Sequence, residues 1–395
     1  MQRRGDMVGI DAALLMNPKV WVATGHVATF SDPMVECKAC HARLRVDNLE
    51  GAVMDAGAEG GWNISGAKCP VCGKKDFGVP RQFNMMLQTH LGPVQDETSV
   101  VYMRPETAQA MFVDFKNVLE TTRRRLPFGI AQIGKAFRNE ITPGNFIFRQ
   151  REFEQMEIEY FIREEESAEQ FEHWLDAMKK WLTKIGVAPE RLHFVDISEE
   201  DRAFYSKRTV DVEYDYPFGQ KELYGLAYRT DYDLSKHEQH SGQDLKFTNP
   251  DDQKEKIVPH VIEPSFGVDR TLLVAMLEAY HEDIADNELR IVMRFPYWMA
   301  PVKVAVLPLS KKEELSVPAR MLAQQLREAD LAVDYDETQS IGKRYRRQDE
   351  IGTPFCVTYD FDTITDGAVT IRDRDTMEQV RVAIPDVAHY ISSRL

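Results

Sequence analysis

Apolar residues recur at steps of three and four along residues 167–185, which read SAEQFEHWLDAMKKWLTKI. Most positions between them are polar or charged, and Gly186 follows directly. This spacing is typical of one buried face of an α-helix, and glycine is common just past a helix end. The pattern therefore predicts an amphipathic helix with the following residues in the core: Phe171, Trp174, Leu175, Met178, Trp181, Leu182 and Ile185.

A second helical pattern covers residues 104–127, RPETAQAMFVDFKNVLETTRRRLP. Pro105 suits the first helical position, and the arginines before Pro127 suit a helix end. Two strand patterns follow, GIAQIGKAFRNE at 129–140 and REFEQMEIEYFI at 151–162. A helix followed by a β-hairpin is therefore predicted in this part of the chain.

The stretch VIEPSFGVDRTLLVAMLEAY contains a predicted strand, Val258 to Ser265, which leads into a helix that begins near Gly267. Arg270 falls in the first turn of that helix, where a helix start and a fixed guanidinium together favour a polyphosphate. By contrast, SKHEQHSGQDLKFTNPDDQKEK at 235–256 is polar and turn-rich, and it predicts an exposed loop or flap.

Strand and helix patterns alternate beyond Pro301, in the order VKVAVLPL, KEELSVPARMLAQQLREADL, AVDYDE, PFCVTYDFD and AVTIRDRD. Such alternation predicts a separate α/β domain of roughly a hundred residues. Within it, GKRYRRQDEIG places four cations around Tyr345, which is a candidate phosphate-contacting surface. A solvated helix face paired with Asp349 and Glu350 is the alternative. The four cations are Lys343, Arg344, Arg346 and Arg347.

Side chains alternate along a strand, so the two faces of the predicted hairpin differ. Arg138 and Glu140 share one face of its first strand, and Phe153, Gln155 and Glu157 share one face of its second. An enclosed arginine needs a phosphate or carboxylate partner, so this polar face is a candidate binding site. An exposed face laced with salt bridges is the alternative. The opposite face of the second strand is apolar and is expected to be the core face: Met156, Ile158, Tyr160 and Ile162.

Composition and charge narrow the class of protein. The chain has 395 residues, 43% hydrophobic and 29% charged, with a net charge of -15, which is ordinary for a globular protein of two or three domains. The acidic balance argues against coating nucleic acid through bulk charge. Neither a long apolar run nor a secretory leader is recognisable, so no membrane insertion and a cytoplasmic location are expected.

Four of the five cysteines form two C-x-x-C pairs, CKAC and CPVC. In a reducing compartment such pairs indicate metal ligation rather than disulfides, and four thiolates suit a structural, tetrahedral zinc ion. A metal-free remnant or a redox pair is the alternative. The candidate ligands are Cys37, Cys40, Cys69 and Cys72, whereas Cys356 is expected to be a buried strand residue.

Five blocks in this order resemble the class II aminoacyl-tRNA synthetases, specifically the dimeric glycyl type: RPETAQ, GIAQIGKAFRNEITPGNFIFRQREFEQMEIEYF, YRTDYDL, VIEPSFGVDR and IGKRYRRQDEIGTPFCVTYDFDT. The resemblance covers almost the whole chain. It implies an α+β fold: a class II antiparallel sheet with flanking helices in 1–36 and 79–300, a zinc-binding insertion in 37–78, and a C-terminal α/β anticodon-binding domain in 301–395.

The resemblance implies that FRNE opens one nucleotide-binding motif and that GVDR closes another. Arg138 would hold the ATP α-phosphate and Glu140 would meet the adenine edge. Arg270 would contact the γ-phosphate and cover the purine face opposite Phe153. The full implied ATP set is Arg138, Asn139, Glu140, Phe148, Arg149, Gln150, Arg151, Glu152, Phe153, Glu222, Leu223, Gly267, Val268, Asp269 and Arg270.

For the amino acid, the family places acidic groups around glycine. A substrate without a side chain offers only an ammonium and a carboxylate, so acidic groups must claim the ammonium. Arg229 is a candidate to complete this charge lattice, with a structural ion pair as the alternative. The implied glycine set is Arg45, Glu106, Phe153, Glu154, Gln155, Met156, Glu157, Glu263, Pro264, Ser265, Phe266 and Gly267.

The resemblance thus implies ATP-dependent ligation of glycine to glycine tRNA through glycyl-adenylate. Arg138 and Arg270 would act at the phosphates, Mg²⁺ and structural Zn²⁺ would be cofactors, and the protein would be a homodimer. Members of the family have a long helix, part of the first of the class II sequence motifs, ahead of the point where this sequence starts. Because that helix contributes to the dimer interface and supports the catalytic sheet, lower dimer stability and activity are expected without it. Asp269 stands where many class II enzymes have glycine.

Two other classes of function are compatible with part of this pattern. The first is a non-catalytic, synthetase-like nucleic-acid-binding or accessory subunit, which would have no physical reason to keep both the phosphate arginines and the acidic residues. The second is a synthetase for serine, threonine, proline or histidine, which would share the ATP elements and differ in the amino-acid pocket.

Overall fold

The structure is a computed structural model that describes residues 4–203, 205–252, 254–285 and 287–395. It divides into two compact units. The first comprises the described residues up to Asp176 together with Leu192–Thr271, and the second comprises Ala177–Arg191 and Leu272–Leu395. No helix in the described ranges has the length and apolar character that a membrane span requires.

The strands of the first unit are β1 (Met7–Gly9), β2 (Leu15–Met16), β3 (Ser31–Glu36), β4 (Arg43–Arg45), β5 (Val53–Met54), β6 (Trp62–Asn63), β7 (Arg81–Asn84), β8 (Gln88–His90), β9 (Val100–Met103), β10 (Phe128–Phe137), β11 (Glu152–Ile162), β12 (Leu192–Asp196), β13 (Arg208–Tyr216), β14 (Gly219–Thr230), β15 (Phe247–Thr248), β16 (Lys256–Ile257) and β17 (His260–Gly267). Its helices are α1 (Pro18–Ala23), α2 (His26–Thr29), α3 (Ala108–Val113), α4 (Phe115–Thr122), α5 (Ser167–Lys184), α6 (Tyr232–Ser241) and α7 (Val268–Ala279), of which α5 and α7 run through the unit boundaries.

The main sheet has the strand order β1-β10-β11-β17-β14-β13-β12. Strand β1 pairs parallel with β10, and the other neighbours pair antiparallel. Aromatic residues of α3, α4, β10 and β11 pack against one another on one face, with ring centroids 4.6 to 6.2 Å apart. Each such buried ring contributes roughly 1.5–3 kcal/mol. They are Phe112, Phe115, Phe128 and Phe161.

The second unit contains the hairpin β18 (Tyr280–Ala285) and β19 (Glu288–Met293), and a sheet of the order β21-β20-β22-β23-β24. The bounds are β20 (Val304–Pro308), β21 (Val333–Tyr335), β22 (Phe355–Tyr359), β23 (Ala368–Asp373) and β24 (Gln379–Ala383), with helices α8 (Glu313–Glu328), α9 (Ile341–Ile351), α10 (Phe361–Asp366) and α11 (Val387–Ser392). The alternation predicted beyond residue 301 is confirmed, and Cys356 is buried in β22 as expected.

Several predicted elements are confirmed. Helix α5 has the predicted position, and of its predicted core residues Trp181 alone is partly exposed. Strand β17 leads directly into α7, with Arg270 in the first turn. Gly186, just past α5, has a φ of +89°, which residues other than glycine rarely adopt.

The helix predicted over 104–127 was wrong at its start and in its middle. Pro105 is not helical, because α3 begins at Ala108 and the backbone N–H of Thr107 donates to Glu157. The helix is then interrupted at Asp114, which ends α3 and precedes α4.

The strand predicted over 129–140 was too long, since β10 ends at Phe137. Beyond it, the N–H of Asn139 donates to Met85 O at 2.8 Å and that of Glu140 donates to Arg138 O at 2.7 Å. These bonds replace the strand ladder with a tight turn. Arg138 and Glu140 are therefore not strand neighbours on one face.

The polar segment 235–256 is not a continuous loop. Its first part belongs to α6, in which Asp233, Leu234 and His237 are buried. Polar composition hid the helix because its buried face carries an aspartate and a histidine, and both hydrogen-bond inside the protein.

The four cations on α9 do not form one exposed basic surface, which was one of the two interpretations that the sequence left open. Arg344 is buried and donates to the carbonyl oxygens of Pro308 and Asp336 at 2.6 and 3.1 Å. Arg346 donates to two backbone carbonyls of the β18–β19 hairpin, and Arg347 pairs with Asp336. Of the four cations, Lys343 alone is exposed.

The alternative interpretation, a solvated helix face paired with Asp349, is not what the structure shows either. Asp349 is 1% exposed and accepts from two arginines of other elements. Arg290 of β19 donates to it at 2.8 Å, and Arg372 of β23 donates at 2.9 and 3.1 Å. This carboxylate therefore connects α9, β19 and β23.

Replacement of Asp349 with alanine would leave the buried Arg372 without its carboxylate partner and would leave Arg290 with Asp283 alone. We expect the free energy of unfolding to fall by about 3–5 kcal/mol, as for other broken buried ion pairs. Hydrogen exchange of peptides from α9, β19 and β23 should accelerate by several powers of ten. The exposed neighbour substitution Glu350→Ala is the matched control, and equal protection in both variants would contradict this role of Asp349.

Candidate active site

A cavity of about 410 Å³ opens on the polar face of the main sheet. Its wall is formed by β11, β13, β14, β17, the start of α7 and the segment between β10 and β11. Of the predicted nucleotide residues, Arg138, Glu140, Phe148, Arg149, Gln150, Phe153, Glu222, Leu223, Gly267, Asp269 and Arg270 line it. Of the further residues predicted for the amino acid, Glu106, Glu154, Gln155, Glu157, Glu263 and Ser265 line it. One cavity thus holds most of both predicted sets.

The guanidinium of Arg138 lies just beyond the end of β10. It is 5.4 Å from the ring of Phe153 and 5.5 Å from that of Phe30, and its Nε donates to Pro105 O at 3.2 Å. Within the described residues, no carboxylate forms an ion pair with it. Its charge is therefore held in place and available to an anion in the cavity.

Arg270 at the start of α7 is fixed from two sides. Its guanidinium lies 4.3 Å from the ring centre of Phe148, and it donates to the backbone oxygens of Phe148 and Glu222 at 3.3 and 2.9 Å. The carboxylate of Glu222 is 3.4 Å away. Phe148 in turn packs edge-on against Tyr216 and Phe218. In this structure the ring that Arg270 covers is thus that of Phe148.

Four predicted nucleotide residues do not reach the cavity wall: Asn139, Arg151, Glu152 and Val268. Two of them act on the backbone or on a neighbour instead. Arg151 donates to the carbonyls of Glu140 and Ile141 at 2.7 and 3.0 Å, and Glu152 pairs with Lys135. Arg151 therefore supports the turn that carries Glu140.

Three residues predicted for the amino acid lie off the wall because strand side chains alternate: Met156, Pro264 and Phe266. Met156 is paired with Phe266 across β11 and β17, and the ring of Phe266 packs 4.8 Å from that of Tyr224. These side chains do not line the cavity that holds Gln155, Glu157 and Ser265 on the same strands.

Arg45 lies in the wall of a second cavity, of about 260 Å³, together with Glu140 and Arg149. It pairs with Asp32 at 3.1 Å and with Asp47 at 2.5 Å. Its placement at the glycine site is therefore not what the structure shows. Arg45 lies instead next to the turn that carries Glu140.

The amino-acid end of the cavity begins at Glu157, which is 4% exposed. Its Oε1 accepts from Ser265 Oγ at 2.8 Å and from Gln155 Nε2 at 3.0 Å, and its Oε2 accepts from Thr107 N at 3.1 Å. Burial and the nearby Glu106 raise its pKa, while the bonds from Thr107 and Ser265 oppose that shift. The carboxyl group is thus fixed in orientation.

Glu263 of β17 is paired with Arg229, which is 1% exposed. Nη1 of Arg229 donates to both Glu263 oxygens at 2.9 and 3.0 Å, and Nε and Nη2 donate to Asp233 at 2.8 and 2.9 Å. Burial above all, together with Glu157 and Glu106, raises the pKa of Glu263 to about 8 although Arg229 opposes the shift. One guanidinium therefore serves two buried carboxylates.

Glu106 completes the acidic wall from the segment before α3. Its Oε1 accepts from Gln109 Nε2 at 3.1 Å and lies 3.4 Å from His26 Nε2. Burial pushes its pKa upward, but His26, Arg229 and Gln109 outweigh burial, so the pKa is lowered. Glu106 is therefore the most strongly ionised member of this wall.

Sequence reasoning missed several residues that shape the cavity. Thr107 orients Glu157, Gln109 links Glu106 to Asp233, and Tyr205 covers the guanidinium of Arg229 at 4.0 Å. Asp211 of β13 also lines the wall, and burial, then Glu222 and Glu213, raise its pKa to about 6. The RPETAQ block contains Thr107 and Gln109 and offered a signal for both, whereas Tyr205 lies in a stretch without any periodicity.

Asp269, which departs from the glycine of many class II enzymes, has a defined contact. Its Oδ2 accepts from the backbone N–H of Glu154 at 2.9 Å. This bond ties the start of α7 to β11.

The four predicted metal ligands form a cluster apart from this cavity. Their sulfur atoms all lie within 4.8 Å of one another, with Cys37 to Cys72 and Cys40 to Cys69 at 3.7 Å. A tetrahedron with zinc–sulfur bonds of about 2.3 Å has sulfur–sulfur edges of about 3.8 Å, so the cluster fits a zinc ion. A disulfide requires about 2.05 Å, and none is formed.

Each C-x-x-C turn is closed in the same way. His41 N donates to Cys37 O at 2.7 Å and Gly73 N donates to Cys69 O at 2.8 Å, and both residues have positive φ, 60° and 72°. His41 is thus a turn residue with an exposed ring that pairs with Glu36. The segment between β3 and β7, here called the cysteine module, has its own small core, to which β3 also contributes. This core is formed by Val35, Val46, Leu49 and Ala67.

The main cavity therefore combines two chemically different ends. Arg138 and Arg270 offer cations to a polyanion, and Phe153 and Phe148 offer rings next to them. Glu106, with Glu157 and Glu263, offers carboxyl oxygens to a cation. A ligand pair with a polyphosphate and an ammonium group matches this arrangement.

Comparisons with known proteins agree with that arrangement. Residues 90–280 match the family model described as tRNA synthetase class II core domain (G, H, P, S and T), and residues 303–394 match the model described as anticodon binding domain. Glycine--tRNA ligase of Bifidobacterium longum is 52% identical, over 99% of this chain and 82% of that protein. The enzyme of that name from Caldanaerobacter subterraneus is 51% identical, over 98% and 86%, and that from Streptomyces coelicolor is 51% identical, over 99% and 87%.

The cavity, the cysteine cluster and the two matched domains occur in one chain that is about half identical, over nearly its whole length, to these enzymes. The chain belongs to the glycine--tRNA ligase family of class II aminoacyl-tRNA synthetases.

Proposed function

We propose that this protein activates glycine with ATP and transfers it to glycine tRNA through a glycyl-adenylate. The observation that carries the proposal is the single cavity in which Arg138 and Arg270 lie beside the acidic wall of Glu106, Glu157 and Glu263. A serine, threonine, proline or histidine enzyme would share the arginines, but the similarity over the full chain is to glycine--tRNA ligases.

ATP would occupy the arginine end. Arg138 would hold the α-phosphate, with Asn139 and Arg151 supporting its turn, and Arg270 would hold the γ-phosphate. Glu140 would accept from the adenine edge, and the ring of Phe153 would stack on the purine. Glu222 and Leu223 of β14, and Gly267, Val268 and Asp269 at the start of α7, would complete this end, with Arg149 and Gln150 reaching the nucleotide or the acceptor end of the tRNA.

Glycine would occupy the acidic end, with its ammonium between Glu106, Glu157 and Glu263. Ser265 would contact the amino acid while holding Glu157, from which it is 2.8 Å away. Glu154, Gln155, Met156, Pro264 and Phe266 would form the surrounding strand segments. Arg45 would act on the neighbouring turn rather than on glycine, because it lies in the second cavity.

The first step would be in-line attack of the glycine carboxylate on the ATP α-phosphorus, with pyrophosphate as the leaving group. No protein nucleophile is needed. Arg138 and Arg270 would neutralise charge that develops on the phosphoryl oxygens, and the acidic wall would fix the attacking group by its ammonium. The transfer step would then pass glycine to the terminal ribose of the tRNA.

Two metal ions would support this function. Mg²⁺ prefers carboxylate and phosphate oxygens, and Glu222 and Asp211 present carboxylates near Arg270; the ion would neutralise phosphate charge. Zn²⁺ would be held by the four cysteines and would be structural, because all four positions of its tetrahedron are filled by protein.

We further propose a cytoplasmic homodimer of the dimeric synthetase type, made of a catalytic domain (1–36 and 79–300), a zinc-binding insertion (37–78) and an anticodon-binding domain (301–395). Four thiols held together without a disulfide suit a reducing compartment. The small core of the insertion, to which Val35 of the preceding strand also contributes, and the core of the C-terminal sheet support the division into domains.

The first test is glycine-dependent exchange of labelled pyrophosphate into ATP. Arg138→Ala should reduce exchange by at least about 100-fold while leaving the fold intact, because it removes a charge that acts on the phosphates. Arg125→Ala, which removes an exposed arginine paired with Asp251, is the control. A folded, unmodified protein that gives no exchange with glycine would indicate the non-catalytic accessory subunit.

The cysteine cluster predicts a metal content of one zinc ion per chain. Cys37→Ser should abolish this content and lower the melting temperature, because zinc binding stabilises the insertion. Cys356→Ala, which changes the cysteine outside the cluster, should leave zinc unchanged. Equal zinc content in the two variants, measured by mass spectrometry of the intact protein, would remove the metal from the proposal.

Lys343 and Arg344 are neighbours on α9, but Lys343 is exposed and Arg344 is buried. Their substitutions should therefore affect different properties, tRNA binding for Lys343 and stability for Arg344. Lys343→Ala should weaken tRNA binding and reduce the slope of log affinity against log salt by about 0.7–0.9, as expected for one lost phosphate contact. Arg344→Ala should instead destabilise the domain by about 1–3 kcal/mol, because three backbone carbonyls lose their donor. An unchanged salt slope in Lys343→Ala would remove α9 from the tRNA surface.

A further inference from the structure

Glu159 of β11 is a carboxyl group without any assigned role. It is 0% exposed, and neither of its oxygens has a hydrogen-bond partner in the described parts of the chain. An isolated buried carboxylate is strongly unfavourable, and such groups ordinarily bind a proton instead. This isolation distinguishes Glu159 from Glu157 on the same face of the strand, which accepts four hydrogen bonds, two from Thr107, one from Gln155 and one from Ser265.

The strand register explains why Glu159 is isolated. Glu157 is opposite Ser265 and Tyr160 is opposite Ile262 on β17, so the same register puts Glu159 opposite Glu263. Directly opposed residues of antiparallel strands have side chains on one face about 4.5–5.5 Å apart, and like charges there are destabilising.

The other elements around Glu159 supply little positive charge. On its other side, β10 places Ile130 opposite it, and α3 carries no charged residue. Arg229 of β14 directs its donors to Glu263 and Asp233, and α6 adds His237, which bonds to Gln109. Burial first, then Glu263, raises the pKa of Glu159 well above its usual range, although Arg229 opposes this.

We propose that Glu159 carries a proton while the acidic wall is empty, and that it releases this proton when the ammonium group of the amino acid binds to the wall. This inference rests on the proposed glycine site. The exchange is close to electroneutral: one cation enters between Glu106, Glu157 and Glu263, and one proton passes from Glu159 to the buffer. Glu159 touches no substrate and is a positioning residue that sets the charge of the wall.

The linkage fixes the sign of the pH dependence. Because ligand binding lowers the pKa of Glu159, affinity for glycine rises with pH between the pKa of the complex and the higher pKa of the empty protein. Release of one proton corresponds to a change in KM for glycine of about tenfold per pH unit in that interval. A group that never changes its protonation would give no such slope.

The test uses the full chain and a non-hydrolysable analogue of the intermediate, 5′-O-(glycylsulfamoyl)adenosine. Calorimetric titration near neutral pH in two buffers of different ionisation enthalpy gives the number of protons released. We expect about one with this ligand and none with the acetyl counterpart, which lacks the ammonium group. Equal release with both ligands, or no release with either, would overturn the proposal.

Two variants test whether the released proton comes from Glu159. Glu159→Gln keeps the shape without a titratable group, so it should still bind the analogue and support exchange, but it should release about one proton fewer than the unmodified protein and should flatten the dependence of KM on pH. Glu172→Gln removes a carboxyl on α5 that is 61% exposed and should behave as the unmodified protein. Undiminished proton release from Glu159→Gln would refute the assignment.

If Glu159→Gln does not fold, infrared difference spectra of the unmodified protein decide the matter. Binding of the glycyl analogue should remove the C=O band of a protonated carboxyl group, which release from a histidine cannot do; persistence of that band would overturn the proposal. Glycine-dependent pyrophosphate exchange is measured separately. Without exchange, the proposed function itself fails; with exchange but no proton release, the role of Glu159 alone fails.

Discussion

The pairing of β11 with β17 is the constraint on which the rest of the site depends. Its register puts Glu157 opposite Ser265 and Gln155 opposite Gly267, with all of these residues in the cavity wall. Side chains alternate with a period of two, so a slip of β11 by one residue would turn Met156 into the cavity and Glu157 away from it. The aromatic packing of Phe161 at the far end of β11 helps to hold that register.

This register brings several acidic side chains close together, and Arg229 reduces the repulsion between them by pairing with two of the carboxylates. The arginine is fully buried, lies over the rings of Tyr205 and Phe112, and donates to Glu263 and Asp233. A buried ion pair contributes little net stability, because desolvation offsets the attraction. The arrangement is better explained by ligand binding than by stability. The acidic wall has fewer cations than carboxyl groups, and the ammonium group of a ligand supplies the missing positive charge.

The sequence predicted those parts of the fold that follow from local patterns. Helix α5, strand β11 and the β17–α7 unit have strong periodicity or a clear helix start, and they were placed correctly. Failures occurred where tertiary contacts override local preference. The donation from Thr107 to Glu157 displaces the start of α3, and the turn after Phe137 shortens β10. Neither contact can be recognised from the spacing of apolar residues in the sequence.

The candidate site was predictable to a similar extent and for a similar reason. Alternation along β11 and β17 identified Glu157, Glu263 and Ser265 correctly as one face, because strand geometry fixes it. Charge alone was a poor guide for α9, where a run of arginines suggested an exposed basic surface. Arg344 instead donates to the backbone carbonyls of Pro308 and Asp336, and composition does not distinguish that use of a guanidinium from an exposed one.

The two strands that lead into and out of the cysteine module are hydrogen-bonded neighbours. Ser31 is opposite Asn84 and Met34 is opposite Arg81, so the chain leaves along β3 and returns beside it along β7. Closing a longer or shorter excursion between two fixed, adjacent ends changes the loop entropy only slowly with length. The module is therefore a place where evolution or a protein engineer can exchange, shorten or enlarge a whole subdomain while the catalytic sheet keeps its geometry.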